Sequence, residues 1–114
     1  MPSIPYLRGR VYRVELDPIK GEEIAKTRPC VILSTDEVNQ YRKTVVVVPL
    51  TNTKTPAIAP LLIATPSMGA DSKARIEHLR GVDKSRIKGA IGDMDLVDLQ
   101  AIEDALRRVL RLNR

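Results

Sequence analysis

Residues 10–17 alternate so that Tyr12, Val14 and Leu16 share one face and Val11, Arg13 and Glu15 the other, the period of a half-buried strand. Two short unbroken apolar runs, Cys30 to Leu33 and Val45 to Val48, are rich in β-branched residues and predict strands at the centre of a sheet. Residues 36–43 between them begin with Asp36, a helix-capping residue, and are too short and polar for more than a turn of helix. A fourth apolar stretch, residues 58–65, contains Pro60, which restricts it to a sheet edge or a bulge. Further on, Ala74, Ile76 and His78 alternate against Arg75, Glu77 and Leu79 as a fifth strand, and residues 86–92 give another short strand broken by Gly89.

The period changes at residues 95–112. Leu99, Ile102, Leu106, Val109 and Leu110 lie along one helical face, Asp95 stands at the start, and Arg107, Arg108 and Arg111 lie near the end, complementing the helix dipole. By contrast residues 17–27, punctuated by Pro18 and Gly21 and followed by Arg28-Pro29, read as a long polar loop. Short strands closed by one helix predict a mainly β chain: a small, mostly antiparallel barrel with a C-terminal α-helix.

Length and composition narrow this further. A chain of 114 residues corresponds to one domain, and no apolar stretch approaches the ~18 residues of a membrane span. The N-terminus has no signal-peptide pattern and Cys30 is the sole cysteine, which predicts a soluble protein of a reducing cytoplasm without an intrachain disulfide. A net charge of +5 favours a polyanionic partner, nucleic acid or an acidic protein segment. With Tyr6, Tyr12 and Tyr41 as the only aromatic residues, any nucleic-acid binding would rest on charge and hydrogen bonds rather than base stacking.

Glycine-rich phosphate loops, serine-nucleophile elbows and histidine pairs are missing, so neither a metal nor a nucleotide cofactor is expected. His78, on the face of Ala74 and Ile76, reads as a partly buried, hydrogen-bonded imidazole rather than a catalytic one. Cys30 opens an apolar run and reads as an inert buried thiol. The remaining polar residues at strand ends are Glu22 and Glu23 in the long loop, Arg28, Thr51 and Asn52, and Arg75 and Glu77. Spacing alone does not show that they converge.

The ordered segments RGRVYRVELDP, KGEEIAKTRPCVILS, VVVVPLTNT and ARIEHLRGVDKSRI, with a terminal helix after IGDM, resemble the MazF/PemK family of toxin endoribonucleases from type II toxin–antitoxin modules. The resemblance runs from Gly9 to Leu112, with residues 1–8 as an N-terminal extension, and is most specific at Glu23, Arg28-Pro29 and Pro49-Leu50-Thr51. It implies an SH3-like barrel, a homodimer and metal-independent cleavage of single-stranded RNA, in which the 2′-hydroxyl attacks the neighbouring phosphate to leave 2′,3′-cyclic phosphate and 5′-hydroxyl ends. It further implies inhibition of translation and growth, control by an antitoxin with an acidic disordered segment, and DNA contact only through the toxin–antitoxin complex.

By the same resemblance Arg28 and Thr51 fall on the family's catalytic arginine and threonine, and Glu23 on the acidic residue before that arginine. Arg75 and Glu77 fall on an Arg-x-Asp pair with acid and base roles, although glutamate replaces aspartate here. Glu22 stands where some members have histidine and Lys26 where many have glycine. The loops around 18–27 and 52–57 would select bases, which adds Glu22, Lys26, Asn52 and Lys54 as RNA contacts, with Arg80, Lys84 and Arg86 along the RNA path. Two other readings stay open: a non-nucleolytic interaction protein of the gyrase-poison type, although the terminal helix lacks that type's tryptophan, and a small-barrel RNA-binding module without catalysis.

Overall fold

The structure, a computed structural model, describes residues 6–16 and 27–112. Along the chain run β1 (Arg10–Glu15), β2 (Thr27–Ile32), α1 (Asp36–Tyr41), β3 (Thr44–Asn52), β4 (Leu62–Ala64), β5 (Ser72–Arg75), β6 (Arg80–Asp83), β7 (Ile87–Asp93) and α2 (Leu96–Val109). Single 3₁₀ turns occupy Pro66–Met68, Ile76–His78 and Lys84–Arg86. The strands form a seven-stranded sheet in the order β4-β5-β3-β2-β1-β7, with β6 also paired to β3, and every ladder is antiparallel. Among the described residues no ladder joins β7 back to β4 or β6, so the expected barrel is an open sheet in its hydrogen bonding.

The unbroken apolar runs arise because the sheet buries both faces. Val11, Val31, Val48 and Leu50 point into one core, where they meet Ala74, Ile76, Leu99, Ile102 and Ala105. Tyr12, Val14, Cys30, Ile32, Val45, Val47 and Val82 fill a second core on the opposite face. Strands buried on both sides lose the apolar–polar alternation that a half-solvated strand keeps. Among the named strands β4 pairs with β5 alone, at the sheet edge expected from Pro60, and its Leu62 also bridges back to Ile58. In β7, Gly89 lies opposite Arg13 next to a shift of register, the break its glycine foreshadowed.

Asp95 caps α2, its carboxylate accepting from the Asp98 N–H at 2.9 Å. Leu99, Ile102 and Ala105 are buried, with Leu106 and Val109 packed beside them. The expected helix to residue 112 is corrected to an end at Val109, and Leu110 is exposed rather than part of the buried stripe. Arg111 takes a left-handed φ of 57°, and the Leu112 N–H turns back to the Arg107 carbonyl, which closes the helix.

Two other local readings shift slightly. α1 is capped by Thr35, one residue before Asp36. The N-terminal segment is pinned at its end: the Arg8 Nε donates to the Leu33 carbonyl at 3.0 Å and its guanidinium pairs with Glu103 of α2. Gly9, at φ 89°, then donates to the Ile32 carbonyl and accepts from the Met94 N–H, a bend that a side chain would strain. No helix among the described residues is long and apolar enough to cross a membrane.

Candidate active site

β3 is the spine of the site, because it serves three neighbours in turn. Val47–Pro49 pair with β2, Thr44–Val47 with β6, and Leu50–Asn52 with β5. Between the pairs Val47–Arg80 and Leu50–Ala74, β3 places only Val48 and Pro49, whereas the facing chain places Arg75 through Leu79. The surplus is wound into the 3₁₀ turn Ile76–His78.

The cause is Pro49. On the β2 side, the Val46 carbonyl accepts from the Leu33 N–H at 2.9 Å. Backbone groups alternate along a strand, so those of Val45, Val47 and Pro49 turn to the β5–β6 side. There Pro49 has no N–H to donate, the ladder stops, and the turn is inserted at the gap.

This insertion builds one wall of a cleft. Arg75, which ends β5, and His78, which ends the turn, both line it, while Ile76 between them is buried in the core. β2 supplies the facing wall. Arg28 lies on β2 two residues beyond the Cys30–Pro49 pair that ends the ladder, and Thr51 lies two residues beyond it on β3. Leu16, Arg28, Pro49, Leu50, Thr51, Arg75 and His78 together line a cleft of about 220 Å³. A second cleft of about 470 Å³ adjoins it through Leu50 and Thr51 and runs past Pro29 and Asn52 to residues 68–72.

Within the described residues, no hydrogen bond or ion pair engages the side chains of Arg28, Arg75, Glu77 or His78. Two guanidiniums thus share a concave site with no carboxylate among the described residues of its lining. Such unneutralised, fork-shaped donors beside a hydroxyl form a receptor for an oxyanion, phosphate above all. Beneath it, burial pushes the Cys30 thiol up to about 12, against the weaker pull of Arg80 and Arg28, and the thiol stays a neutral part of the core.

The predicted residues divide clearly. Arg28, Thr51 and Arg75 are brought together, and Asn52 lines the adjoining cleft. Glu77 is exposed and is not part of either lining. Glu22, Glu23 and Lys26 lie outside the described residues. Lys54 is paired with Asp71 at 3.1 Å, and the Arg86 guanidinium donates to the Glu15 carbonyl at 3.4 Å. Lys84 lies 5.5 Å over the Tyr6 ring, and Arg80 is half-buried opposite Val47 on β6 with contacts of its own.

His78 is the residue that sequence reasoning misplaced. Expected as a partly buried member of the Ala74–Ile76 face, it is exposed and lines the cleft, because the strand ends at Arg75 and the alternation gives way to a three-residue turn. The sign available in the sequence was Pro49, a ladder breaker inside an apolar strand.

Residues 7–110 match the family described as PemK-like, MazF-like toxin of type II toxin–antitoxin system. The chain is 33% identical to endoribonuclease MazF9 of Mycobacterium tuberculosis over 113 residues, covering 92% of this chain and 96% of that protein. Among solved structures it is similar to an endoribonuclease in complex with its cognate antitoxin from a mycobacterial species, with a TM-score of 0.76 and 26% identity over 95% of this chain and 97% of the other. The MazE–MazF complex of Deinococcus radiodurans, at 20% identity, shares the fold with a TM-score of 0.80, covering 98% of this chain and 100% of the other. This chain belongs to the PemK-like, MazF-like toxin family.

Proposed function

We infer that the chain is the endoribonuclease toxin of a type II toxin–antitoxin system, and we propose that it cleaves single-stranded RNA without a metal, through its own 2′-hydroxyl. The observation that carries this reading is the meeting of Arg28, Thr51 and Arg75 in one cleft without a counter-charge among the described residues. In the transition state the phosphorus gathers five oxygens and additional negative charge, which fixed guanidiniums stabilise more than they stabilise the ground state.

Arg28 clamps two phosphate oxygens by its fork of N–H donors, and Thr51, beside it, donates its hydroxyl to the same group. An arginine seldom releases its proton, so Arg28 and Arg75 act as charge and donors rather than as acids. By resemblance the carboxylate of the pair with acid and base roles is Glu77, and Glu23 is the acidic residue of the loop before Arg28. Asn52, in the adjoining cleft, is placed to meet a neighbouring nucleotide.

The whole chain is taken as one toxin domain acting in the cytoplasm as a homodimer, held inactive by an antitoxin whose acidic segment covers basic surface. The relative solved with its cognate antitoxin supports that partner. The test is cleavage of labelled single-stranded RNA by the purified protein in excess EDTA. Cleavage that disappears in Arg28→Ala supports the reading; intact RNA with the wild type, or equal cleavage by both proteins, overturns it.

A further inference from the structure

We propose that His78 is the group that takes the 2′-hydroxyl proton in this chain, an assignment that rests on the ribonuclease reading above. Cyclisation needs a proton acceptor within reach of the 2′-oxygen, and the acceptor must release that proton again in each cycle. Of the described residues lining the cleft, Leu16, Pro49 and Leu50 have no titrating side chain, Thr51 is a hydroxyl, and Arg28 and Arg75 are permanent cations. Among these described side chains the imidazole is the one that can both accept a proton and return it. It is also the only histidine of the sequence.

The fold provides the placement. The ladder between β3 and β5 stops short of Pro49, the chain winds through the turn Ile76–His78, and His78 at its end lines the same cleft as Arg75, Arg28 and Thr51. A phosphate held between those guanidiniums brings the adjoining ribose to the imidazole. Among the described residues, the charged groups beside His78 in the chain or in the cleft lining are Arg75 and Glu77 on its own segment and Arg28 on β2. On the inner side the turn meets α2 through buried Ile76, and no charged residue of α2 lines the cleft.

The step balances as follows. The neutral imidazole nitrogen takes the 2′-O–H proton, the 2′-oxygen forms its bond to phosphorus, and the bond from phosphorus to the 5′-oxygen breaks. The departing 5′-oxygen takes a proton from water, and the imidazolium returns its own to solvent, which restores His78 and leaves a 2′,3′-cyclic phosphate with a 5′-hydroxyl.

The experiment is the pH dependence of kcat/KM for wild type and His78→Asn on one single-stranded RNA in EDTA, between pH 5 and 9. The exposed side chain is replaced without disturbing the core, and circular dichroism verifies the fold. The wild type is expected to lose activity toward acid pH with unit slope. His78→Asn is expected to be slower by about 10²–10⁴-fold at pH 7.5 and to lack that acid limb. A variant as active as wild type, or one that is slower but keeps the acid limb, overturns the assignment while leaving the ribonuclease reading intact. A wild type that leaves RNA uncut overturns the ribonuclease reading, and the role of His78 with it.

Discussion

Thr51 and Arg28 line one cleft from two antiparallel strands, each two residues beyond the Cys30–Pro49 pair at which the ladder between β2 and β3 ends. If one phosphate occupies both, removing either side chain removes a donor to the same developing charge. Arg28→Ala and Thr51→Ala are each expected to fold normally and to lower kcat/KM for RNA cleavage by about 10²–10³-fold or more. The double variant is expected to lose less than the product of the two factors, because the partners act on one group. Arg28→Lys should recover little of the loss, since an ammonium cannot grip two oxygens in a plane. Single-turnover cleavage rates check all four proteins.

Electrostatic binding can be separated from catalysis. With an uncleavable 2′-deoxy analogue, affinity should fall as salt rises, and Arg75→Ala should weaken binding and flatten the log–log slope by about 0.7, the value of one phosphate contact on a single strand. Fluorescence anisotropy over a range of salt concentrations measures the slope. An unchanged slope would place Arg75 off the phosphate path.

The wall of the second cleft is tied to α2 by a buried carboxylate. Asp98 accepts from both the backbone N–H and the hydroxyl of Ser67, at 2.8 Å and 2.5 Å, and is itself 4% exposed. Asp98→Ala leaves the Ser67 N–H without its partner, and a loss of about 1–3 kcal/mol of stability is expected from urea unfolding. Met68, on the same 3₁₀ turn, lines the second cleft, so RNA affinity should weaken alongside stability.

Cys30 provides a pH test of the core. Burial raises its thiol from the ordinary 9.0 to about 12, so the folded state resists ionisation that the unfolded state permits. The sign follows directly: the contribution to stability is full below pH 9.0 and is lost as pH rises toward about 12. Cys30→Ala should abolish that alkaline decline, and in the native wild type the thiol should react with an aromatic disulfide reagent only as fast as the chain unfolds.

The helix α2 was legible because its period differs from everything before it, and Asp95 marked its start. The central strands were legible from their apolar runs, although β3 extends beyond the Val45–Val48 run through Pro49 to Asn52. The turn at Ile76–His78 was not legible: Ala74, Ile76 and His78 alternate as a strand does, and the break originates in Pro49, distant in sequence. Strand β6 escaped notice for a related reason, since Arg80–Asp83 is short, contains Gly81 and gains its partner only through β3. Within the site, Arg28 and Thr51 were legible through family resemblance alone, because their nearness depends on a register that no local pattern encodes.

The central claim is that this cleft cuts RNA through the 2′-hydroxyl, and analysis of cleavage ends tests it most directly. Labelled single-stranded RNA is incubated with wild type and with Arg28→Ala in excess EDTA, and the 3′ ends are examined for a cyclic phosphate. Site-limited cuts ending in 2′,3′-cyclic phosphate, absent with Arg28→Ala, are the predicted result. Intact RNA across diverse sequences, or cuts that leave a 3′-hydroxyl, would contradict it.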